Sequence, residues 1–284
     1  MSKLKLILKK DNPSLIQTKG KTAGRLPVEA ENINPDIILD KTISEIAELP
    51  LLTGRKEYKL EDFFQIEGEP SHNIFIEGEL NNFKYIGAEM TEGTVFINGS
   101  TGMHTGSEMS GGKIEVNGDT GDWLGAEMQG GYIKVNGNAG NYAGAAFRGD
   151  KLGMNRGVIY IQGSAGSFLG NRMRRGEIIV GGSCGDMAGS QMVAGSIYLF
   201  GKTGKRTGAA MKRGTIISAD LLEILPTFNY NISYYPEFLK IAFAHLKNDF
   251  KINIPQNMLS GYYQRYTGDN TEIGKGEILI WEEG

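Results

Sequence analysis

Seven glycines, Gly93, Gly112, Gly131, Gly157, Gly176, Gly195 and Gly214, each introduce a short apolar segment. The steps between them are 19, 19, 26, 19, 19 and 19 residues. Six full units share the pattern G-x-h-x-h-x-G-x-x-G-x-x-x-G-x-x-M. Thus Gly112, Gly118, Gly121, Gly125 and Met128 answer to Gly176, Gly182, Gly185, Gly189 and Met192. The unit opening at Gly131 carries Phe147 at the methionine position and is then lengthened by seven residues around "RGDKLGM". A degenerate unit, "NIFIEGELNNFKYIGAEM", precedes the set. A fixed internal period marks a repeat architecture, in which no single unit buries its own core.

Within a unit, offsets two and four are apolar: Ile114 and Val116, Ile133 and Val135, Ile159 and Ile161, Ile178 and Val180. Offsets one and three are mostly polar, as in Lys113 and Glu115. Alternation with period two is the pattern of a half-buried strand. One short strand per unit closes a core only if each pairs with the same strand above and below, at about 4.8 Å. The expected fold is therefore all-β dominated: a parallel, right-handed β-helix of about seven glycine-rich coils over residues 71–219. Glycine at fixed offsets permits positive φ or close approach of one coil to the next. Methionine fills irregular interior space.

The flanks differ in texture. Residues 1–70 read as an N-terminal segment of strands and a short helix, with Thr42 and Glu45 at capping-box spacing before Pro50. The stretch "RKEYKLEDFFQIEGE" reads as one or two strands leading into the repeats. Residues 220–284 read as a cap for the open end, with one helix over "YYPEFLKIAFAHLKNDF" and a loop and closing strand in "GYYQRYTGDNTEIGKGEILIW".

Glycine at this density also suggests a phosphate-binding loop. That chemistry needs one strand, one glycine-rich turn and one long helix, whereas "GNAGNYAG" runs into another repeat. Most of the 41 glycines are therefore read as punctuation of a repeating backbone. A net charge of −3 argues against a dedicated nucleic-acid binder, and the single Cys184 excludes a disulfide framework or a multi-cysteine metal site. The start "MSKLKLILKKDN" lacks the shape of a signal peptide, and no apolar run approaches the roughly 20 residues needed to cross a bilayer. A cytoplasmic location, without membrane or nucleic-acid partners, is the expectation.

His72, His104 and His245 stand far apart with no metal-ligand spacing, and no nucleophile–base motif is present. Two patterns remain. Offset eleven reads His104, Trp123, Tyr142, Phe168, Met187, Arg206, which is either a ladder stabilising one unit on the next or an exposed aromatic interface. Charge is also polarised: residues 61–130 carry a net −11 and residues 131–215 a net +9. Offset fifteen shows this locally, with Glu89, Glu108 and Glu127 followed by Arg172. Arg148, Lys151 and Arg156 of the insertion, Arg172, Arg174 and Arg175 of "RMRRG", and Lys212 and Arg213 form a candidate basic face for an acidic partner or ligand.

The repeat, with "GAEM", "GNAGNYAG", "GDKLGM" and "NRMRRG", resembles the C-type subunit of formylmethanofuran dehydrogenase. It is also similar to the C-terminal glycine-rich domain of the glutamate synthase large chain. The first likeness runs from "VEAENINPD" through "ISEIAELPLLTGRKEYKLEDFFQIEGE" to "RYTGDNTEIGKGEIL", and "GDKLGM", "RMRRG" and "GDNTEIGKGEIL" resemble the bacterial form, a formyltransferase/hydrolase complex. The resemblance implies a hetero-oligomeric assembly that moves a formyl group from formyl-tetrahydromethanopterin through methanofuran, or an analogue, to formate. It implies chemistry on partner subunits: an amidohydrolase-like A-type subunit holding metal, a B-type subunit and a formyltransferase D-type subunit. In the archaeal branch a molybdenum- or tungsten-pterin chain takes part. No catalytic residue or cofactor is then expected on this chain, which would serve as scaffold. The alternatives are a C-type subunit of an archaeal-type molybdenum or tungsten formylmethanofuran dehydrogenase, a glutamate-synthase-like spacer, and a freestanding enzyme with its site near "RGDKLGM".

Overall fold

The computed structural model describes residues 3–18 and 21–283. The chain opens with β1 (Leu4–Leu8), a hairpin of β2 (Leu15–Thr18) and β3 (Lys21–Arg25), and β4 (Val28–Glu29). Helices α1 (Pro35–Ile38) and α2 (Ile43–Ala47) follow, then β5 (Pro50–Thr53), β6 (Lys56–Lys59), α3 (Leu60–Phe63) and β7 (Phe64–Gly68). The predicted box at the start of α2 is formed. Glu45 N–H donates to Thr42 Oγ1 at 3.3 Å, and Thr42 N–H donates to Glu45 Oε2 at 2.7 Å. The strands expected before the repeats are interrupted by the single turn of α3, where Asp62 accepts from the Lys59 N–H.

The repeats then supply β8 (Asn73–Glu77), β9 (Phe83–Lys84), β10 (Thr94–Asn98), β11 (Lys113–Val116), β12 (Tyr132–Val135), β13 (Val158–Ile161), β14 (Glu177–Val180), β15 (Ser196–Leu199) and β16 (Arg213–Ser218). From β10 to β16 each strand pairs in parallel with the next, in register, so that Ile114, Ile133, Ile159, Ile178, Ile197 and Ile216 form one buried column. Removing such side chains from water is worth about 1.5–3 kcal/mol each, and this column is the spine of the core. A second parallel column of single bridges joins Leu80, Thr101, Thr120, Ala139, Ala165, Cys184 and Thr203. The protein is thus mostly β, with a 13-stranded sheet ordered β17-β18-β19-β16-β15-β14-β13-β12-β11-β10-β8-β1-β7, where β17 (Asn229–Tyr234), β18 (Tyr262–Gly268) and β19 (Lys275–Glu282) close the chain.

The methionines settle where the insertion falls. Met90, Met109, Met128, Met154, Met173 and Met192 are fully buried, and each Cε lies against the opening glycine two units on. A Cβ on Gly112, Gly131, Gly157, Gly176, Gly195 or Gly214 would approach that Cε to between 2.6 and 2.9 Å. Met154, rather than Phe147, therefore holds the interior position, and the seven extra residues precede the methionine instead of following it. Phe147 turns outward onto His104 and Trp123, with both ring centroids at 5.6 Å.

The C-terminal region also departs from the expected cap. Helix α4 (Phe238–Phe250) does not lie over the end of the sheet. It packs through Leu239, Phe243 and Leu246 on the outward side chains of β13–β16, Val158, Tyr160, Ile179, Tyr198 and Ile217. The end is covered by a hairpin where a loop and one strand were expected: β19 pairs in parallel with β16, and β18 pairs with β19 in antiparallel fashion. At the opposite end, β1 pairs in parallel with β8 and antiparallel with β7.

Candidate functional site

Each unit turns through a short loop in which three of five residues are left-handed, except that Ala146 breaks the pattern in the unit with the insertion. In one unit these are Trp123 (φ 66°), Gly125 (φ 54°) and Glu127 (φ 54°), and the other units repeat them from Tyr85, Gly87 and Glu89 onward. The glycine is required because a Cβ at Gly125 would come within 2.7 Å of Ile159 Cδ1 two units on. The flanking left-handed positions carry side chains, at a cost of about 1–2 kcal/mol each. Those side chains line up along one face of the protein.

The first of these positions makes an aromatic ladder. Tyr85, His104, Trp123, Tyr142 and Phe168 stack nearly face to face, with centroid separations of 4.5, 6.1, 4.4 and 5.0 Å and interplanar angles of 12° or less. Trp123 is buried and Phe147 packs beside it, so the ladder reading of the sequence holds for the aromatic part. His104 Nδ1 is buried without a hydrogen-bond partner, and burial lowers the imidazole pKa. Tyr85, absent from the pattern of the full repeats, begins the ladder in the degenerate unit.

The second position carries Glu89, Glu108, Glu127, Ala146, Arg172, Gln191 and Ala210, one per unit. Glu89 and Glu108 join Glu29 and Glu31 from the N-terminal segment around a pocket of about 250 Å³ beside Tyr85. Lys84 lies 3.5 Å from Glu29, while Glu31, Glu89 and Glu108 have no ion pair among the described residues. Burial, and then Glu29, Glu31 and Glu108, push the Tyr85 phenol pKa up. Glu127 accepts from the Phe147 N–H at 2.8 Å. Its own carboxyl pKa is raised by burial and by the nearby Asp150 and Glu108, against that hydrogen bond.

Beyond the insertion the same face is basic. Lys151, Arg172 and Lys212 line one groove of about 500 Å³ together with Leu152, Gln191 and Glu272. Arg172 Nε donates to Gln191 Oε1 at 2.7 Å, and an Nη1 hydrogen bond to the Asp150 carbonyl pins the insertion. Lys212 lies 3.7 Å from Glu272. Arg174 follows two residues after Arg172, at the position that Lys212 occupies two units on, and the Arg174 N–H donates to the Met154 carbonyl. Arg156, Arg175 and Arg213 share a further position, and Arg148 is on the insertion. The structure thus draws Lys151, Arg172 and Lys212 into one groove. Arg148, Arg156, Arg174, Arg175 and Arg213 lie outside its lining.

A third feature of these turns is a set of polar side chains that reach one unit on. The Asn138 and Asn141 N–H groups donate to Asp119 and Asp122, at 2.6 and 2.7 Å. The Ser164 and Ser167 N–H groups donate in turn to Asn138 and Asn141, both at 2.8 Å. Cys184 is buried in the bridge column, where burial pushes its thiol up to about 12, far from a reactive thiolate. Among the described residues, no helix is long and apolar enough to cross a membrane.

Residues 74–232 match the GXGXG motif model, and the chain belongs to this family. Over its full length it is similar to a chain of the formyltransferase/hydrolase complex (FhcABCD) of Methylorubrum extorquens, whose crystal structure was solved with methylofuran. The two share 32% identity over 98% of this chain and 100% of that one, with a TM-score of 0.86. It is also similar to the C-type subunits of two formylmethanofuran dehydrogenases. One is from the tungsten-containing enzyme 2 of Methanothermobacter wolfeii, at 39% identity over 84 residues. The other is from the molybdenum-containing enzyme 1 of Methanosarcina barkeri, at 36% over 89 residues. These shorter alignments span 28% and 30% of this chain, and 31% and 30% of the relatives' own length.

Proposed function

We propose that this chain is the scaffold subunit, of C type, of a cytoplasmic formyltransferase/hydrolase complex. Its repeats would form a right-handed parallel β-helix over residues 71–219, flanked by segments 1–70 and 220–284. In this reading, partner subunits of amidohydrolase and formyltransferase type, with a B-type subunit, hold the metal and the furan-type coenzyme and pass a formyl group on to formate. This chain contributes no catalytic residue. Its contribution is mechanical: a parallel ladder hydrogen-bonded on both sides of every unit fixes the distance between what binds at one place and what binds at another. The observation that carries the reading is the end-to-end likeness to a chain of such a complex, which extends through both flanks as well as the repeats.

The basic groove and its rim are the proposed seat of an acidic partner surface or of the acidic tail of a furan-type coenzyme. Reversing Arg172, Arg174 and Arg175 to glutamate is expected to weaken assembly or raise the coenzyme concentration needed for activity. Unchanged assembly and kinetics at physiological salt would remove this assignment. The dehydrogenase relatives favour a second reading, a subunit of the molybdenum or tungsten enzyme. Mild affinity purification of the chain from its native host, followed by mass spectrometry, separates the two. Amidohydrolase- and formyltransferase-type partners alone fit the hydrolytic complex, while a metal-pterin chain fits the dehydrogenase. A chain that elutes without partners overturns both.

A further inference from the structure

The face that carries the second left-handed position has opposite charge on either side of its middle unit. Counting units from Glu89, the residues are Glu89, Glu108, Glu127, Ala146, Arg172, Gln191 and Ala210, with Lys212 beside the last. All but Ala146 are in the left-handed conformation, so the turn that presents them is the same on both sides of the insertion. A concave site lies at each end: Glu29, Glu31, Glu89 and Glu108 at one, Lys151, Arg172 and Lys212 at the other. The carboxylates Glu31, Glu89 and Glu108 have no counter-ion among the described residues. Like charges gathered from distant segments repel unless something neutralises them.

An object complementary to this face must be basic where the face is acidic and acidic where it is basic, with the change of sign at its middle. A second copy of the chain, turned end for end, has that property. We propose that two copies associate through this face about a two-fold axis at the unit carrying the insertion. The register follows from the spacing. An axis at Ala146 sets Glu127 opposite Arg172 of the second copy, Glu108 opposite Gln191, and Glu89 opposite the Ala210–Lys212 turn. Units are about 4.8 Å apart, so the outer pairs stand three units from the axis on either side. The exposed insertion meets itself there, with Arg148 and Lys151 of one copy near Asp150 of the other. This is an isologous contact, in which one patch serves as both halves of the interface. It rests on the reading of the basic groove as the seat of an acidic surface, and it names that surface.

Sedimentation velocity of the full-length chain tests it. At low ionic strength a dimer is expected that dissociates as salt shortens the screening length from about 10 Å at 0.1 M to about 3 Å at 1 M. Two charge-reversal variants, E89K/E108K and K151E/K212E, alter surface side chains and should fold as the parent does, with an unchanged far-ultraviolet spectrum. Each variant alone is expected to dissociate at least tenfold more readily than the parent. An equimolar mixture of the two is expected to regain a dimer, now of two different chains, because the new lysines of one then face the new glutamates of the other while the Glu127–Arg172 pairs are kept. A monomeric parent at tens of micromolar and low salt overturns the inference, as does a mixture that stays monomeric while both variants remain folded. Loss of co-purifying subunits in K151E/K212E with no effect on sedimentation would also overturn it, and would leave the assignment of the groove to another acidic partner intact.

Discussion

The glycines of the repeat are of two physical kinds, and substitutions should separate them. Gly125 and its equivalents have positive φ, whereas Gly118 and Gly121 are needed because the preceding unit passes too close. A Cβ on Gly121 would lie 2.7 Å from the Gly102 carbonyl carbon and 2.8 Å from the Met103 nitrogen, and backbone cannot yield as a flexible side chain can. Gly121→Ala is therefore expected to cost about 1–3 kcal/mol or more, read as a fall in the urea midpoint without a change in its slope. Glu127 makes the opposite case. Its carboxyl pKa is raised in the folded protein, first by burial and then by Asp150 and Glu108, so the fold binds its proton more tightly than the unfolded chain does. That contribution is unfavourable above the folded-state value and disappears as pH falls through the carboxylate range. Glu127→Gln keeps an acceptor for the Phe147 N–H, so it should raise the melting temperature at pH 7 and change it little at pH 4. A variant less stable than the parent at pH 7 would contradict this sign.

Among the elements, the contrast between β11 and β14 is informative. In β11 and β12 the buried residues alternate with half-exposed ones, while in β13, β14 and β15 at least three of four positions are buried. The difference is α4, which lies on the outward residues of the later strands. Phe243, buried and 6.1 Å from Tyr198 between ring centroids, is central to that contact. Truncating it to alanine should cost about 3–5 kcal/mol and raise hydrogen exchange in β14 and β15 while β11 stays protected. The helix itself is legible from its spacing and from Pro236, but its seat on the side of the sheet, not the end, is not written in the helix. The signal lies in the strands. "VIYI", "EIIV" and "SIYL" carry Tyr160, Ile179 and Tyr198 at the third position, where "KIEV" and "YIKV" carry Glu115 and Lys134, and strands apolar on both sides are those covered on both faces. The place of the insertion is hidden for a different reason. Sequence spacing says that seven residues are added but not on which side of a methionine, and only the column of Cε atoms against glycines decides it.

At the scale of the whole molecule, both ends of the sheet are finished by antiparallel pairs, and the C-terminal region also supplies the outer cover. A chain ending at residue 219 would leave the outer edge of β16 unpaired and bare Tyr160, Ile179, Tyr198 and Ile217 together. Such an edge and patch invite association. This truncation is expected to be recovered only in aggregates, whereas the parent stays in solution. A soluble, folded fragment by size exclusion and circular dichroism would show that residues 220–284 are dispensable. The charge polarity is visible in the sequence because it is carried by strict repeat positions. The acidic pocket is not, since Glu29 and Glu31 reach it from outside the repeats, through the parallel pairing of β4 with β9. The seven extra residues between Ala146 and Met154 leave the ladder undisturbed, for Val135 still pairs with Ile161 and Met154 still meets Gly176. A repeat that absorbs an insertion there without loss of register has a place at which its lineage could lengthen, shorten or exchange a loop. What the chain presents to its surroundings could then diversify while the framework beneath it was inherited unchanged.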